Sequence, residues 1–255
     1  MLRNSFVFLP GIGPQRERSF WAKGIIEWGH FLEEPKIGGI SEERKSILDC
    51  ELKSAEERYH KSDSSYFGQK LPSREQWRCL SDFSGSTIYL DIETTGISPR
   101  SPITIVGIYD GRAMHTLVSG QNLTRANLAG ILGRAKMIVT FNGASFDIPM
   151  IESQYPGSVP KVPHADLRYP LRRLGYTGGL KRIERELGIE RDRRVEYMTG
   201  EDAVYLWRLW EKNGNGNALG LLKEYNAEDC RNLKSLASSV YVALKKRTFD
   251  TAIPS

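Results

Sequence analysis

Two acids two residues apart, Asp91 and Glu93, stand at the end of the run Thr87-Ile88-Tyr89-Leu90, and this stretch constrains the chain more than any other. β-Branched and aromatic residues favour a strand, and residues two apart on a strand point to one face of the sheet. Both carboxylates therefore project side by side. Neighbouring acids repel and resist ionising unless a cation neutralises both, which points to a hard divalent metal.

Two later segments supply matching groups. Residues 217–242 carry Leu221, Leu222, Tyr225, Leu233, Leu236 and Val240, an apolar stripe of helical period. Tyr225 and Asp229 are i and i+4 on that helix and share a face. Between the two ends, Met137-Ile138-Val139-Thr140-Phe141 reads as a short buried strand. Asn142-Gly143 follows it, and Phe146-Asp147-Ile148-Pro149 opens a helix. Asp147 thus falls just past a strand end, where open α/β sheets assemble their sites. Three separate elements can bring four acids together.

The coarse order from residue 86 is strand (86–92), strand (103–109), an Asp110-Gly111 turn, strand (112–118), helix (123–134), strand (136–141) and then mostly helices. Asp-Gly between β-rich runs favours a two-residue hairpin. A three-strand meander followed by a strand returning through a helix predicts an α/β fold. Its mixed sheet has 86–92 at the centre and helices on both faces.

These residues resemble the DEDD superfamily of 3′→5′ exonucleases on the RNase H-like fold, and specifically its DEDDy branch. DIETTG is similar to the first motif, N-x3-F-D to the second and Y-x3-D to the third. The sister branch carries a histidine five residues before the last aspartate, where this chain has Glu224. Over roughly residues 75–245 the chain also resembles the YprB-type group of predicted RNase H-like exonucleases. The likeness runs through YLDIETTGIS, ITIVGIYDG, IVTFNGASFDIPMI, HADLRYPLRRLGYTGGLKRIERELGI and LLKEYNAEDC. The resemblance implies that Asp91, Glu93, Asp147 and Asp229 hold two divalent cations, Mg²⁺ or Mn²⁺. It implies that Tyr225 orients or deprotonates the attacking water. Carboxylate ligands suit those cations better than zinc, and a metal pair can activate water and stabilise the leaving oxygen of a phosphodiester.

Taken singly, each acid has a plain structural alternative: Asp91 as a strand-end turn residue, Glu93 as a solvated edge charge, Asp147 as a helix N-cap, Asp229 as an exposed helix position. Tyr225 at core spacing could pack with a satisfied hydroxyl. Taken together, in order and on fitting elements, the functional reading prevails. Thr94 and Thr95 are candidates to meet a terminal nucleotide, and Asn142 is another candidate contact or a turn cap. Asp166 and its neighbour His164 fall outside the four-acid pattern, and a turn or cap role is expected of Asp166.

Charge placement adds a substrate class. Residues 161–194 carry ten Lys and Arg against five acids, a local excess equal to the net +5 of the chain. Such a cluster beside a carboxylate centre suits a nucleic acid, whose phosphates basic groups hold without reading sequence. Arg172, Arg173, Lys181 and Arg182 are the candidates. The alternative for residues 179–188 is a solvated helix with Leu180, Ile183 and Leu187 inward and Lys181, Arg182 and Arg185 on other faces. Three cysteines without metal-type spacing, Cys50, Cys79 and Cys230, argue against a disulfide framework or zinc ribbon. The absence of an apolar window of membrane length and of a signal-like start predicts the cytoplasm and no membrane partner.

Residues 1–84 read as a separate helical module before an exonuclease domain at 85–248. LPGIG at residues 9–13 partly resembles a helix-hairpin-helix turn, with Pro14 in the first turn of a helix ending near Gly24. Only eight residues precede Leu9, so the alternative is a tight turn packed near Trp28, Phe31 and Leu32. Residues 41–60 form an amphipathic helix with Ile47, Leu48, Leu52, Ala55 and Tyr59 inward. Ser62 to Leu71 reads as a linker, and Ser73 caps a last short helix. The expected activity is metal-dependent 3′→5′ hydrolysis of single-stranded DNA or RNA ends, DNA favoured. A structure-specific endonuclease and a non-catalytic nucleic-acid binder are the alternatives.

Overall fold

A computed structural model of the chain describes residues 1–253. Four helices come first: α1 (Pro14–Trp21), α2 (Trp28–Glu33), α3 (Glu42–His60) and α4 (Ser64–Lys70). Pro14 opens α1 behind the cap Gly13, where its fixed φ suits a first turn. Ser41 caps α3 by accepting the Arg44 N–H at 3.3 Å. Aromatic rings fill the space between these helices, with Trp28 stacked on Phe67 at 6.1 Å and Phe6 edge-on to Phe20 at 5.5 Å. The buried Arg78 forks onto both Glu17 oxygens at 2.8 and 2.9 Å and reaches Glu75 at 2.8 Å. This network ties α1 to the 3₁₀ stretch Ser73–Cys79.

Several N-terminal expectations are corrected. Residues 62–71 are no linker, because Ser64–Lys70 form α4 and place Phe67 fully in the core. Ile47 is 54% exposed. α3 turns Lys45 inward instead, its ammonium held by Asp49 at 2.7 Å and lying over the Phe31 ring. Ser73 is the first residue of its 3₁₀ stretch rather than its cap, and Pro72 precedes it. LPGIG is a tight turn closed by Ile12 N–H on the Leu9 carbonyl at 3.1 Å, with Gly11 at φ +67°. Only a 3₁₀ turn over Leu2–Asn4 comes before it.

Five strands then form one mixed sheet in the order β3-β2-β1-β4-β5. β1 (Thr87–Thr94) is central. β2 (Ile103–Tyr109) and β3 (Met114–Val118) continue it antiparallel, while β4 (Met137–Thr140) and β5 (His164–Asp166) continue it parallel. The run ITIVGIY of β2 is buried except at its last residue, as befits a strand covered on both faces. The hairpin turn lies one residue later than Asp110-Gly111. Asp110 N–H bonds to the Ala113 carbonyl at 3.1 Å, so Gly111 and Arg112 are the central pair. Gly111 takes φ +89° there, the freedom the first central residue needs. β5 was hidden by its length, since three residues carry no readable period.

Six α-helices lie in the rest of the described residues: α5 (Arg125–Leu132), α6 (Asp147–Gln154), α7 (Arg168–Leu174), α8 (Leu180–Glu186), α9 (Gly200–Asn213) and α10 (Gly216–Thr248). α10 crosses the sheet over β1 and β2. Its later turns, through Leu233, Leu236, Val240 and Leu244, join one apolar cluster with Trp21, Phe67 and Trp77 of residues 1–84 and with Tyr89 and Val139 of the sheet. The two regions also meet in polar contacts. Gln76 Oε1 accepts the His164 N–H at 2.7 Å, which covers the edge of β5.

Candidate active site

β1 delivers the first two acids. Asp91 and Glu93 lie opposite Gly107 and Ile105 of β2 and face the same side, and the register shifts immediately beyond them, between Glu93 and Thr94. α10 brings Asp229 to the same place. One carboxylate oxygen each from Asp91, Glu93 and Asp229 lie within 4.8 Å of one another. Asp147, at the start of α6, stands just outside this trio, buried, with Oδ1 accepting the Ile92 N–H at 3.2 Å between the two β1 acids. Tyr225 lies one turn before Asp229 and is also buried.

Burial and mutual repulsion set the electrostatics. Burial first, then Asp229, Asp147 and Glu93, push the Asp91 carboxyl well above the usual carboxylate range. Glu93 is raised likewise by burial and by Asp229 and Asp147. Asp147 is pushed up to about 7, chiefly by burial. Burial also raises Asp229, against the opposing guanidinium of Arg191. A buried group of oxygen donors this reluctant to ionise fits a hard cation. Cys230 is also buried there, and burial raises its thiol well above the ordinary value. Burial and the neighbouring acids raise the Tyr225 phenol as well, which keeps its proton on the oxygen.

Three neighbours escape the spacing argument. Asn226 is fully buried, and its Nδ2 donates to Asp91 Oδ2 at 2.9 Å and to the Asp91 carbonyl at 3.3 Å. It fits because β2 has no side chain at Gly107: a Cβ there would lie 2.0 Å from Asn226 Oδ1 and 2.8 Å from Cys230 Sγ. A glycine inside the apolar run of β2 signals such a close approach. Arg191, on the segment after α8, binds Glu184 through Nε at 2.5 Å and Nη2 at 2.9 Å, and Nη2 also reaches Asp229. Glu184 itself is 1% exposed. Arg191 was visible only as one of ten basic residues, because it sits outside any periodic element.

The remaining candidates divide. Lys181 is no solvated helix residue, since its Nζ lies 4.3 Å from the centre of the Tyr225 ring. Arg182 is exposed and pairs with Glu186 at 2.9 Å, and Arg172 is exposed in the last turn of α7. Arg173 turns toward the N-terminal region, reaching Glu75 at 3.3 Å. The Thr94 hydroxyl donates to the Gly96 carbonyl at 2.6 Å and the Thr95 N–H to the Pro102 carbonyl at 3.0 Å, so both shape the turn after β1. Asn142 takes φ +67°; its N–H donates to Asp166 at 2.7 Å and its side-chain oxygen accepts from Arg168. Asp166 accepts further N–H bonds from Ala144 and Arg168 at 3.0 and 3.1 Å, a loop-capping role. The Glu224 carboxylate pairs with Arg194.

Among the described residues no helix is long and apolar enough to cross a membrane. The RNase_H_2 family model, described as the RNase_H superfamily, matches residues 88–241. No curated protein matches the chain.

Proposed function

The chain belongs to the RNase H superfamily, and from that premise we propose that it is a 3′→5′ exonuclease of the DEDDy type, related to the YprB-like group. Its substrate is a single-stranded nucleic acid end, with DNA favoured. The observation that carries this reading is the meeting of Asp91, Glu93 and Asp229 within 4.8 Å, with Tyr225 one helical turn from Asp229. A nuclease-type function suits the superfamily, and a purely binding protein gains nothing from buried acids that repel phosphate.

Asp91, Glu93, Asp229 and, beside them, Asp147 are the groups that would hold two Mg²⁺ or Mn²⁺ ions. Bound there, such a pair supplies activation of water and charge at the leaving oxygen. The reaction is attack of water oxygen on phosphorus with cleavage of the P–O3′ bond, leaving a 3′-hydroxyl on the shortened strand and a 5′-mononucleotide. The Tyr225 hydroxyl orients or deprotonates the attacking water. Asn226 fixes the Asp91 carboxylate through Nδ2, and Gly107 lets it do so. The packed surroundings restrict how far any of these groups can shift.

The test is an end-labelled oligonucleotide with Mg²⁺ or Mn²⁺, compared for wild type, Asp91→Asn and Asp229→Asn. A ladder shortening from the 3′ end is expected, with losses on the order of a thousandfold in both variants. Equal degradation by all three proteins would overturn the assignment. Cutting of closed single-stranded circles would replace it with an endonuclease.

A further inference from the structure

A cleft of about 630 Å³ opens beside the acid cluster, between α8, the segment that follows it and the start of α9. Lys181, Glu184, Arg185, Arg191 and Arg193 contribute to its wall. Two cationic donors there lack a hydrogen-bond acceptor: Arg191 Nη1 and Lys181 Nζ are both buried atoms without a partner. Leaving a buried charged donor unpaired is costly, so such atoms mark a place where a ligand completes the set. The Arg191 side chain is only 4% exposed, and the Glu184 carboxylate grips it through both Nε and Nη2. That two-point grip fixes the plane of the guanidinium and therefore the direction of Nη1.

The second partner of Nη2 is Asp229, one of the acids of the cation centre. A divalent cation and this guanidinium are rivals for the same carboxylate. A doubly charged ion held by these acids would be the stronger counter-charge, which would free Nη2 while Glu184 keeps the side chain in place. The group then presents two N–H donors beside the acids, the geometry that matches two oxygens of a phosphate. Lys181 adds a point charge from the adjoining turn of α8, steadied over the Tyr225 ring.

Building on the nuclease reading above, we propose that Arg191 and Lys181 hold the terminal phosphodiester of the strand at the reacting centre. Arg191 does so by exchanging Asp229 for a phosphate oxygen. Glu184 is the positioning residue that retains it through the exchange.

The exchange has a signature that a purely structural ion pair lacks. Mn²⁺ affinity is measured by calorimetry without nucleic acid for wild type, Arg191→Gln, Arg191→Lys and Lys181→Gln. Binding of a fluorescent oligonucleotide is measured by anisotropy in Ca²⁺ across a salt series, and kcat and KM in Mn²⁺. Arg191→Gln should bind Mn²⁺ about tenfold more tightly, because a rival positive charge is gone. The same variant should bind the strand about tenfold more weakly, with a salt slope smaller by about 0.7, the value of one lost single-strand phosphate contact. Arg191→Lys recovers part of strand binding, and Lys181→Gln loses a similar increment. Weaker Mn²⁺ binding by a folded Arg191→Gln, with strand affinity unchanged, overturns the exchange. Should Arg191→Gln not fold, unchanged strand affinity and salt slope in Lys181→Gln and Arg191→Lys overturn it instead. A wild type that neither binds nor hydrolyses oligonucleotides sinks the nuclease reading and this proposal with it.

Discussion

Gly107→Ala tests the packing that joins the sheet to α10. The added methyl would lie 2.0 Å from Asn226 Oδ1, 2.8 Å from Asn226 Cγ and 2.8 Å from Cys230 Sγ. Ordinary contact begins near 3.4 Å, so the Asn226 oxygen must retreat by about 1.4 Å. Asn226 is fully buried on α10, which leaves the helix itself, or the Asn226 bond to Asp91, to give way. Overpacking of this kind costs about 1 to 3 kcal/mol, and a buried hydrogen bond to a carboxylate adds about 1 to 2. A total near 2 to 5 kcal/mol lowers Tm by roughly 4 to 20 °C for a chain of this size. Because Tyr225 and Asp229 ride on the same helix, a shift near 1 Å also costs about 100-fold in turnover. Differential scanning fluorimetry and hydrolysis of an end-labelled oligonucleotide read the two effects. The double variant Gly107→Ala, Asn226→Ala should regain part of the Tm but little of the rate, since the hold on Asp91 is lost. A Gly107→Ala protein that melts within about 2 °C of wild type and hydrolyses at the same rate refutes the reasoning.

Three further outcomes are expected. In EDTA the fold should lose stability as pH rises from the ordinary carboxylate value of 3.8 toward about 7, because Asp147 keeps its proton in the folded protein while the unfolded chain gives it up. The contribution is fully present below 3.8, amounts to at most about 4 kcal/mol and changes no more above about 7. Urea melts across that window should vary less steeply with pH in Asp147→Asn, the other raised acids of the cluster keeping the rest of the slope; excess Mg²⁺ should restore stability at pH 8, and a wild-type profile already flat in EDTA contradicts the assignment. Arg78→Ala strands the buried Glu17 and Glu75 carboxylates and should destabilise the protein by about 3 to 5 kcal/mol in urea unfolding, whereas an exposed pair would cost under about 1. Tyr225→Phe should fold normally and reduce kcat by about 100-fold with little change in KM, the scale of losing one positioning contact; retained kcat in single-turnover assays removes the tyrosine from the mechanism.

Long periodic segments were readable in advance, and short or irregular ones were not. The β-branched and aromatic run that opens Thr87–Thr94 and the stripe of α10 place Asp91, Glu93, Tyr225 and Asp229 on two elements, and those elements do meet. β5 spans three residues, and α4 is rich in Ser, Gly and Gln, so local propensity argues against a helix that Phe67 anchors through tertiary burial. Ile47 misleads for the opposite reason: an apolar residue near the edge of a stripe can face water when a paired lysine takes the inner position. Arg191 and Glu184 come together through chain reversal after α8, a contact that no periodicity encodes. Charge alone puts Lys181 among the candidates for backbone binding, and only packing reveals its seat over Tyr225.

The length of α10 gives it leverage. Asp229 and the end of the helix near Phe249 are separated by about 30 Å of rigid rod at 1.5 Å per residue, and Phe249 abuts Trp21 with ring centroids 5.1 Å apart. Pivoting such a rod by about 2° around its far tip swings the carboxylate by roughly 1 Å, a displacement large enough to stall hydrolysis. On the nuclease reading proposed above, the Trp21–Phe249 contact would thus act as a tuning screw for the chemistry at Asp229.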